Sequence, residues 1–232
     1  MNYYGFTHPL RAFLARQDVN YHPVRIDAAE LDQWLTDARS SIPYANQLCQ
    51  LNLLGSHDTT RFLTLLGEDH ELLQVALAVQ FTYPGVPCIY YGDEIGTTGA
   101  NDPHNRICCE WDEEYWNTGL RDYVRRLAQL RHAHRALRRG AYRTLIADGD
   151  IFGFARFDEA EQLVILINRS AIPAAGVTLP FHALPELTAD QPIFEDLLNK
   201  RFHEAKNTGL QIDVAAKMAV LLRHTKSGAG ST

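Results

Sequence analysis

Apolar and polar positions change their spacing near residue 140, and the two halves predict different architectures. Before it, Gln47-Leu-Cys-Gln-Leu-Asn-Leu-Leu54 is a short apolar run closed by Gly55, which predicts a buried strand. From Glu71 to Thr82, Leu72, Leu73, Val75, Ala76 and Val79 recur at helical spacing and predict a helix with one apolar face. Tyr83-Pro-Gly-Val-Pro87 breaks it, and Cys88-Ile-Tyr-Tyr91, closed by Gly92, predicts a second buried strand. Residues from Asn101 to Thr118 are polar, aromatic and irregular. Gly119 to Arg138 is again helical, with Leu120, Tyr123, Val124, Leu127, Leu130, Ala133, His134 and Leu137 on one face. Strand and helix in alternation with short connections predict βα units on a parallel sheet.

Beyond Gly140 the helical period is lost. Ala141–Ile146, Ile151–Phe157, Gln162–Asn168, Val177–Pro180, Lys200–His203, Gly209–Val214 and Met218–Arg223 read as short strands. Turn signals such as Asp148-Gly-Asp150 and Asn207-Thr-Gly209 separate them, and the pattern predicts an antiparallel β-sandwich. The expected division is an α/β unit over 1–139, an all-β unit over 140–225 and a disordered tail over 226–232. An eight-stranded parallel barrel takes about 250 residues, so the first unit has room for only part of one.

Composition narrows the partners. Among 232 residues, 22 Lys and Arg stand against 28 Asp and Glu, a formal charge of −6. Neither nucleic acid nor an anionic membrane is expected as a partner, since both require clustered positive charge. No apolar run reaches the ~20 residues of a membrane span, and Met1-Asn-Tyr-Tyr-Gly5 does not resemble a secretion signal. Four cysteines, at 49, 88, 108 and 109, have neither disulfide-framework density nor zinc-knuckle spacing, so a reducing, cytoplasmic location is expected.

Three segments carry candidate chemistry. Asn52-Leu-Leu-Gly-Ser-His-Asp-Thr-Thr-Arg61 follows a strand end, where parallel α/β folds place their sites. Asp58 there has two readings: an N-cap for the helix entered by Thr59–Leu63, favoured on this peptide alone, or a carboxylate that grips sugar hydroxyls together with His57. Ser56, His57 and Asp58 are too close in sequence to line up as a hydrolytic triad. In Gly85-Val-Pro-Cys-Ile-Tyr-Tyr-Gly-Asp-Glu94, Asp93 and Glu94 are read as structural carboxylates that satisfy backbone amides or an arginine. The loop from Gly96 to Arg106, followed by Trp111 and Trp116, combines a carboxylate, a guanidinium and aromatic rings suited to a flat hydroxylated ring. His104 with the adjacent Cys108 and Cys109 is a poor tetrahedral metal set, so no metal is expected. His132 and His134 are read as surface or packing residues.

Taken together, these segments resemble the alpha-amylase family of glycoside hydrolases, in its neopullulanase, cyclomaltodextrinase and maltogenic amylase branch. Met1-Asn-Tyr3, the 52–61 segment, Gln80–Glu94, Asp102-Pro-His-Asn-Arg106 and Leu130–Gly140 carry the likeness. The resemblance implies the C-terminal part of a (β/α)8 TIM barrel, from the end of strand six through helix eight, followed by the family's antiparallel β-sandwich. It implies that Asp58 is the transition-state-stabilising carboxylate, and that His57 binds a substrate hydroxyl beside it. Asp102 and Arg106 would grip the next sugar, and Trp111 is the aromatic candidate for substrate binding. The family cleaves α-1,4 and in places α-1,6 bonds of maltooligosaccharides, cyclodextrins or pullulan with retention, through an aspartate nucleophile and a glutamate acid/base. Those two carboxylates belong to motifs on strands four and five, which are expected to precede Met1. The expectation is therefore the C-terminal half of such an enzyme, inactive alone and needing no cofactor. Its expected partners are an α-glucan oligosaccharide and the missing N-terminal half. The alternative is a non-catalytic maltosaccharide-binding or structural remnant.

Overall fold

The computed structural model describes residues 1–180, 193–204 and 209–225. The chain opens in a continuous helical stretch made of two wide turns, Tyr3–Thr7 and Arg11–Ala15, around α1 (His8–Leu10). Then follow α2 (Ala28–Ser40), opened by an Asp27–Glu30 capping box, and α3 (Tyr44–Gln47). Strand β1 (Leu51–Leu53) leads through α4 (Phe62–Leu65) and α5 (His70–Thr82) to β2 (Val86–Cys88). β1 and β2 pair in parallel, Leu51 opposite Val86 and Leu53 opposite Cys88.

Neither parallel strand occupies its predicted run. β1 takes only part of Gln47–Leu54, β2 lies upstream of Cys88–Tyr91 and overlaps it only at Cys88, and neither is fully buried, Leu51 and Val86 being exposed. Pro43 starts a helical turn that carries the chain to Gln47, whose side-chain amide donates to the carbonyls of Arg39 and Ile42. Only the last part of the Gln47–Leu54 run is left to pair. At β2 the ladder stops at Cys88, because Tyr90 and Tyr91 turn away to contacts described below. Helix α5 also departs from expectation: Leu73 and every residue from Val75 to Thr82 are buried, so it lies inside the molecule instead of presenting one apolar face. A helix apolar on all sides belongs in a core. Asp69 caps it by accepting from the Leu72 amide at 3.0 Å.

The predicted helix over Gly119–Arg138 divides into α6 (Thr118–Ala133) and α7 (Arg135–Arg139), with His134 extended between them. His134 is buried, not on the surface: its Nδ1 lies 2.6 Å from Glu161 Oε2, while Glu161 Oε1 accepts from the Ala136 amide at the start of α7. A loop of the β region therefore caps α7 and sets the break.

Beyond residue 140, eight strands form among the described residues: β3 (Ala141–Asp148), β4 (Ile151–Phe157), β5 (Gln162–Asn168), β6 (Ala174–Pro180), β7 (Ile193–Asp196), β8 (Arg201–Glu204), β9 (Gly209–Val214) and β10 (Met218–Thr225). Six make an antiparallel sheet in the order β3-β4-β5-β10-β7-β8, and β6 and β9 pair separately. Sequence spacing does not reveal β7; it is four residues long, and it is a strand because β10 offers Phe194 and Asp196 a ladder. The strand expected from Lys200 starts at Arg201, since Lys200 is left-handed (φ 55°). The expected tail over 226–232 and the turn at 207–208 lie outside the described residues.

Strand alternation sorts the sheet's two faces. Leu163, Ile165 and Ile167 of β5 and Leu221 of β10 share one core with α5, Phe6, Phe13 and Leu127. Val164, Leu166, Val220 and Leu222 point the other way, into a second core with Val177, Leu179, Leu210 and Ile212. The first core is continuous across residue 140. Buried Arg156 of β4 fastens the same joint, donating to the carbonyls of Thr82, Leu137 and Gly140. Among the described residues, no helix is long and apolar enough to cross a membrane.

Candidate active site

After β1 the chain enters a polar loop, 55–61, held from one side by the N-terminal residues. Asn2 donates through its side chain to Asn52 Oδ1 at 3.0 Å, and Tyr3 Oη lies 2.8 Å from Ser56 Oγ. Within the loop, the amide of Ser56 donates to Thr59 Oγ1 and that of Asp58 to Ser56 Oγ, each at 3.0 Å. These bonds leave the His57 and Asp58 side chains projecting outward, each 60% exposed, with Nε2 and Oδ1 3.2 Å apart. The N-cap reading of Asp58 is thereby corrected. Helix α4 begins only at Phe62, with Arg61 at its cap position and no side-chain cap, and the Asp58 carboxylate turns to His57 instead.

The loop that follows β2 is bound to the same place. Arg106 Nε lies 3.2 Å from Asp102 Oδ1 and donates to the His57 carbonyl at 3.0 Å. Asn105, buried, donates its side-chain amide to the carbonyls of His57 and Thr59, both at 2.9 Å. The Arg61 amide donates to the Gly99 carbonyl at 2.9 Å, and a side chain at Gly99 would have its Cβ 2.3 Å from the His104 carbonyl oxygen. Only glycine permits that approach. Four of the five sequence-selected residues, His57, Asp58, Asp102 and Arg106, therefore stand on two loops stitched into one unit. Trp111 is not brought in: it is 81% exposed, and among the described residues no hydrogen bond or ring contact joins it to the cluster. Trp116 donates its indole N–H to the Glu110 carbonyl.

Arg61 and Asn105 carry no assigned role in the sequence reading, yet they organise the site from below. The Arg61 side chain is fully buried, with its guanidinium carbon 4.2 Å from the Tyr90 ring centre and 4.6 Å from that of Tyr91. It donates to the carbonyls of Asn105 and Tyr91 and to Asp93 Oδ1. Asp93 is thus the structural carboxylate expected, held by an arginine. Burial pushes its carboxyl up to about 7, more strongly than the Arg61 charge pulls it down. Tyr90 and Tyr91 reach forward through their hydroxyls to the carbonyls of Asn105 and Ile107.

Residues 1–138 match the Alpha amylase, catalytic domain family. The chain belongs to the alpha-amylase family. Among relatives within it, a cyclomaltodextrinase of Geobacillus thermopakistaniensis (strain MAS1) is 41% identical over 173 residues, which are 74% of this chain and 28% of that protein. Neopullulanase 2 of Thermoactinomyces vulgaris is 39% identical over 145 residues, 62% of this chain and 25% of the other. The solved structure of Ttha1563 from Thermus thermophilus superposes with a TM-score of 0.85 at 29% identity, covering 96% of this chain and 47% of that one. This alpha-amylase family chain thus spans about a quarter of the two curated relatives and about half of the solved one.

Proposed function

We propose that this chain is the sugar-gripping half of a retaining α-glucan hydrolase, acting on α-1,4 and α-1,6 glucosidic bonds of maltooligosaccharides, cyclodextrins or pullulan. The observation that carries the reading is the convergence of the His57–Asp58 and Asp102–Arg106 pairs on two loops bonded to each other at the end of a parallel strand. In this reading β1 and β2 are the seventh and eighth strands of a (β/α)8 barrel, and Met1–Tyr3 closes the sixth. Residues 1–139 then belong to the barrel and 140–225 to a β-sandwich domain.

Asp58 is the third carboxylate. It accepts from hydroxyls of the sugar next to the scissile bond, and these bonds strengthen as the ring flattens toward the oxocarbenium-like transition state. His57 binds an adjacent hydroxyl, while Asp102 and Arg106 hold the next sugar outward. A nucleophile and a general acid are needed as well, which the family carries on strands four and five of the barrel; without those two groups most of the rate enhancement has no source. The proposed setting is cytoplasmic. Assays of the chain alone with maltotriose, cyclodextrin and pullulan are expected to detect no hydrolysis. Turnover near that of a full-length relative would overturn the reading.

A further inference from the structure

We infer that Asn105 is a positioning residue that clasps the two sugar-gripping loops into one preassembled unit, an inference that rests on the α-glucan reading for its ligand. The Asn105 side-chain nitrogen has two hydrogens, and both are used on the far loop, on the carbonyls of His57 and Thr59 at 2.9 Å each. Its own carbonyl accepts from Arg61 Nε at 3.1 Å and from Tyr90 Oη at 3.2 Å. The residue is 1% exposed, while its neighbour Arg106 and the His57–Asp58 pair reach solvent. Asn105 therefore touches backbone on the inner side of both loops, directly beneath side chains that face outward.

One further fact separates this clasp from ordinary packing. Every bond the Asn105 side chain makes to the opposite loop goes to a backbone carbonyl, so it sets chain path and with it the direction of the His57 and Asp58 side chains. All clasp contacts lie within this chain. The half-site is consequently ordered by this chain's own contacts, and the chain alone should bind a short maltosaccharide weakly.

Two substitutions in the full chain, Asn105→Ala and the similarly sized, apolar Asn105→Leu, test this. Amide hydrogen exchange is followed over 56–61 and 99–107, together with titration by maltotriose. Both variants remove the two donors, so both should raise exchange in the two loops together, leave β4 and β5 unchanged, and weaken maltotriose binding about tenfold. A residue that merely fills space would be rescued by the leucine, and that rescue overturns the proposal. So does unchanged exchange in either loop, or loosened loops that bind maltotriose as tightly as before. If the parent chain gives no maltotriose response while both variants loosen the loops, the clasp is supported and the α-glucan reading fails.

Discussion

The sheet beyond residue 140 and the loop cluster above β1 are held by opposite means. In the sheet, β5 and β10 send alternate side chains to two apolar cores, and strand alternation alone brings Leu163, Ile165 and Leu221 onto α5. In the loop cluster almost nothing apolar holds Ser56 to Arg61 against Gly99 to Arg106. The join is made by side-chain donors of Arg61, Asn105 and Arg106 on backbone carbonyls. Apolar burial is non-directional and tolerates small shifts, whereas hydrogen bonds to carbonyls set chain path. The first region supplies stability, and the second holds exposed carboxylates in set directions.

The sharpest way to break this contrast is to attack the shared core. Phe154, fully buried, stacks on Tyr142 with ring centres 5.1 Å apart and meets the edge of Tyr83. Phe154→Ala should cost about 3–5 kcal/mol. Since the core runs across residue 140, urea unfolding should keep a single transition at a lower midpoint; two separated transitions would contradict a common core. Asp58→Asn probes the opposite pole. Under the proposed α-glucan reading it should weaken maltotriose binding by this chain, while the chain's stability stays within about 0.5 kcal/mol of the parent. A large stability loss would return Asp58 to a structural role.

Asp93 joins the two poles, being a buried carboxyl under a polar loop. Its folded-state value of about 7 exceeds the ordinary 3.8, so between those values the folded chain keeps a proton that the unfolded chain releases. Its contribution is complete below about pH 4 and is lost as pH rises through about 7. Asp93→Asn should flatten that decline, which is on the order of 2–4 kcal/mol, in urea titrations from about pH 4 to 8. An unchanged slope would remove Asp93 as its source. The smallest effect is expected at the Lys217–Asp69 ion pair, 2.5 Å long and partly exposed, which ties the cap of α5 to the start of β10. Lys217→Ala should lower the urea midpoint only slightly, and less in high salt; a loss that ignores salt would point to packing.

Period reveals part of the regular structure: it leaves α2 unread and sets the second parallel strand at 88–91, where β2 is Val86–Cys88. The spacing of Leu73, Val75 and Ala76 predicts helix α5 within a residue of its observed limits, and β4, β5 and β9 agree with theirs. Period cannot tell that α5 is buried on every side, because that depends on residues of β5 and β10 packing onto it from far along the chain. The break at His134 is hidden for a similar reason, since the Glu161 carboxylate that caps α7 lies 25 residues beyond Ala136. Asp58 looks like a cap in its own peptide because capping is a short-range rule, and the path of its loop is held from elsewhere.

The sequence by itself determined the apolar periods, the composition of the candidate loops and a family likeness strong enough to nominate His57, Asp58, Asp102 and Arg106. Only the tertiary structure decided that these four share one unit, that Trp111 stands outside it, and that Arg61 and Asn105 lie beneath it. The reason is physical. The acceptors that Asn105 and Arg106 use are backbone carbonyls 46 to 49 residues away, and every residue type presents the same carbonyl. A donor's identity can be read along the chain; the peptide group it meets is selected by folding.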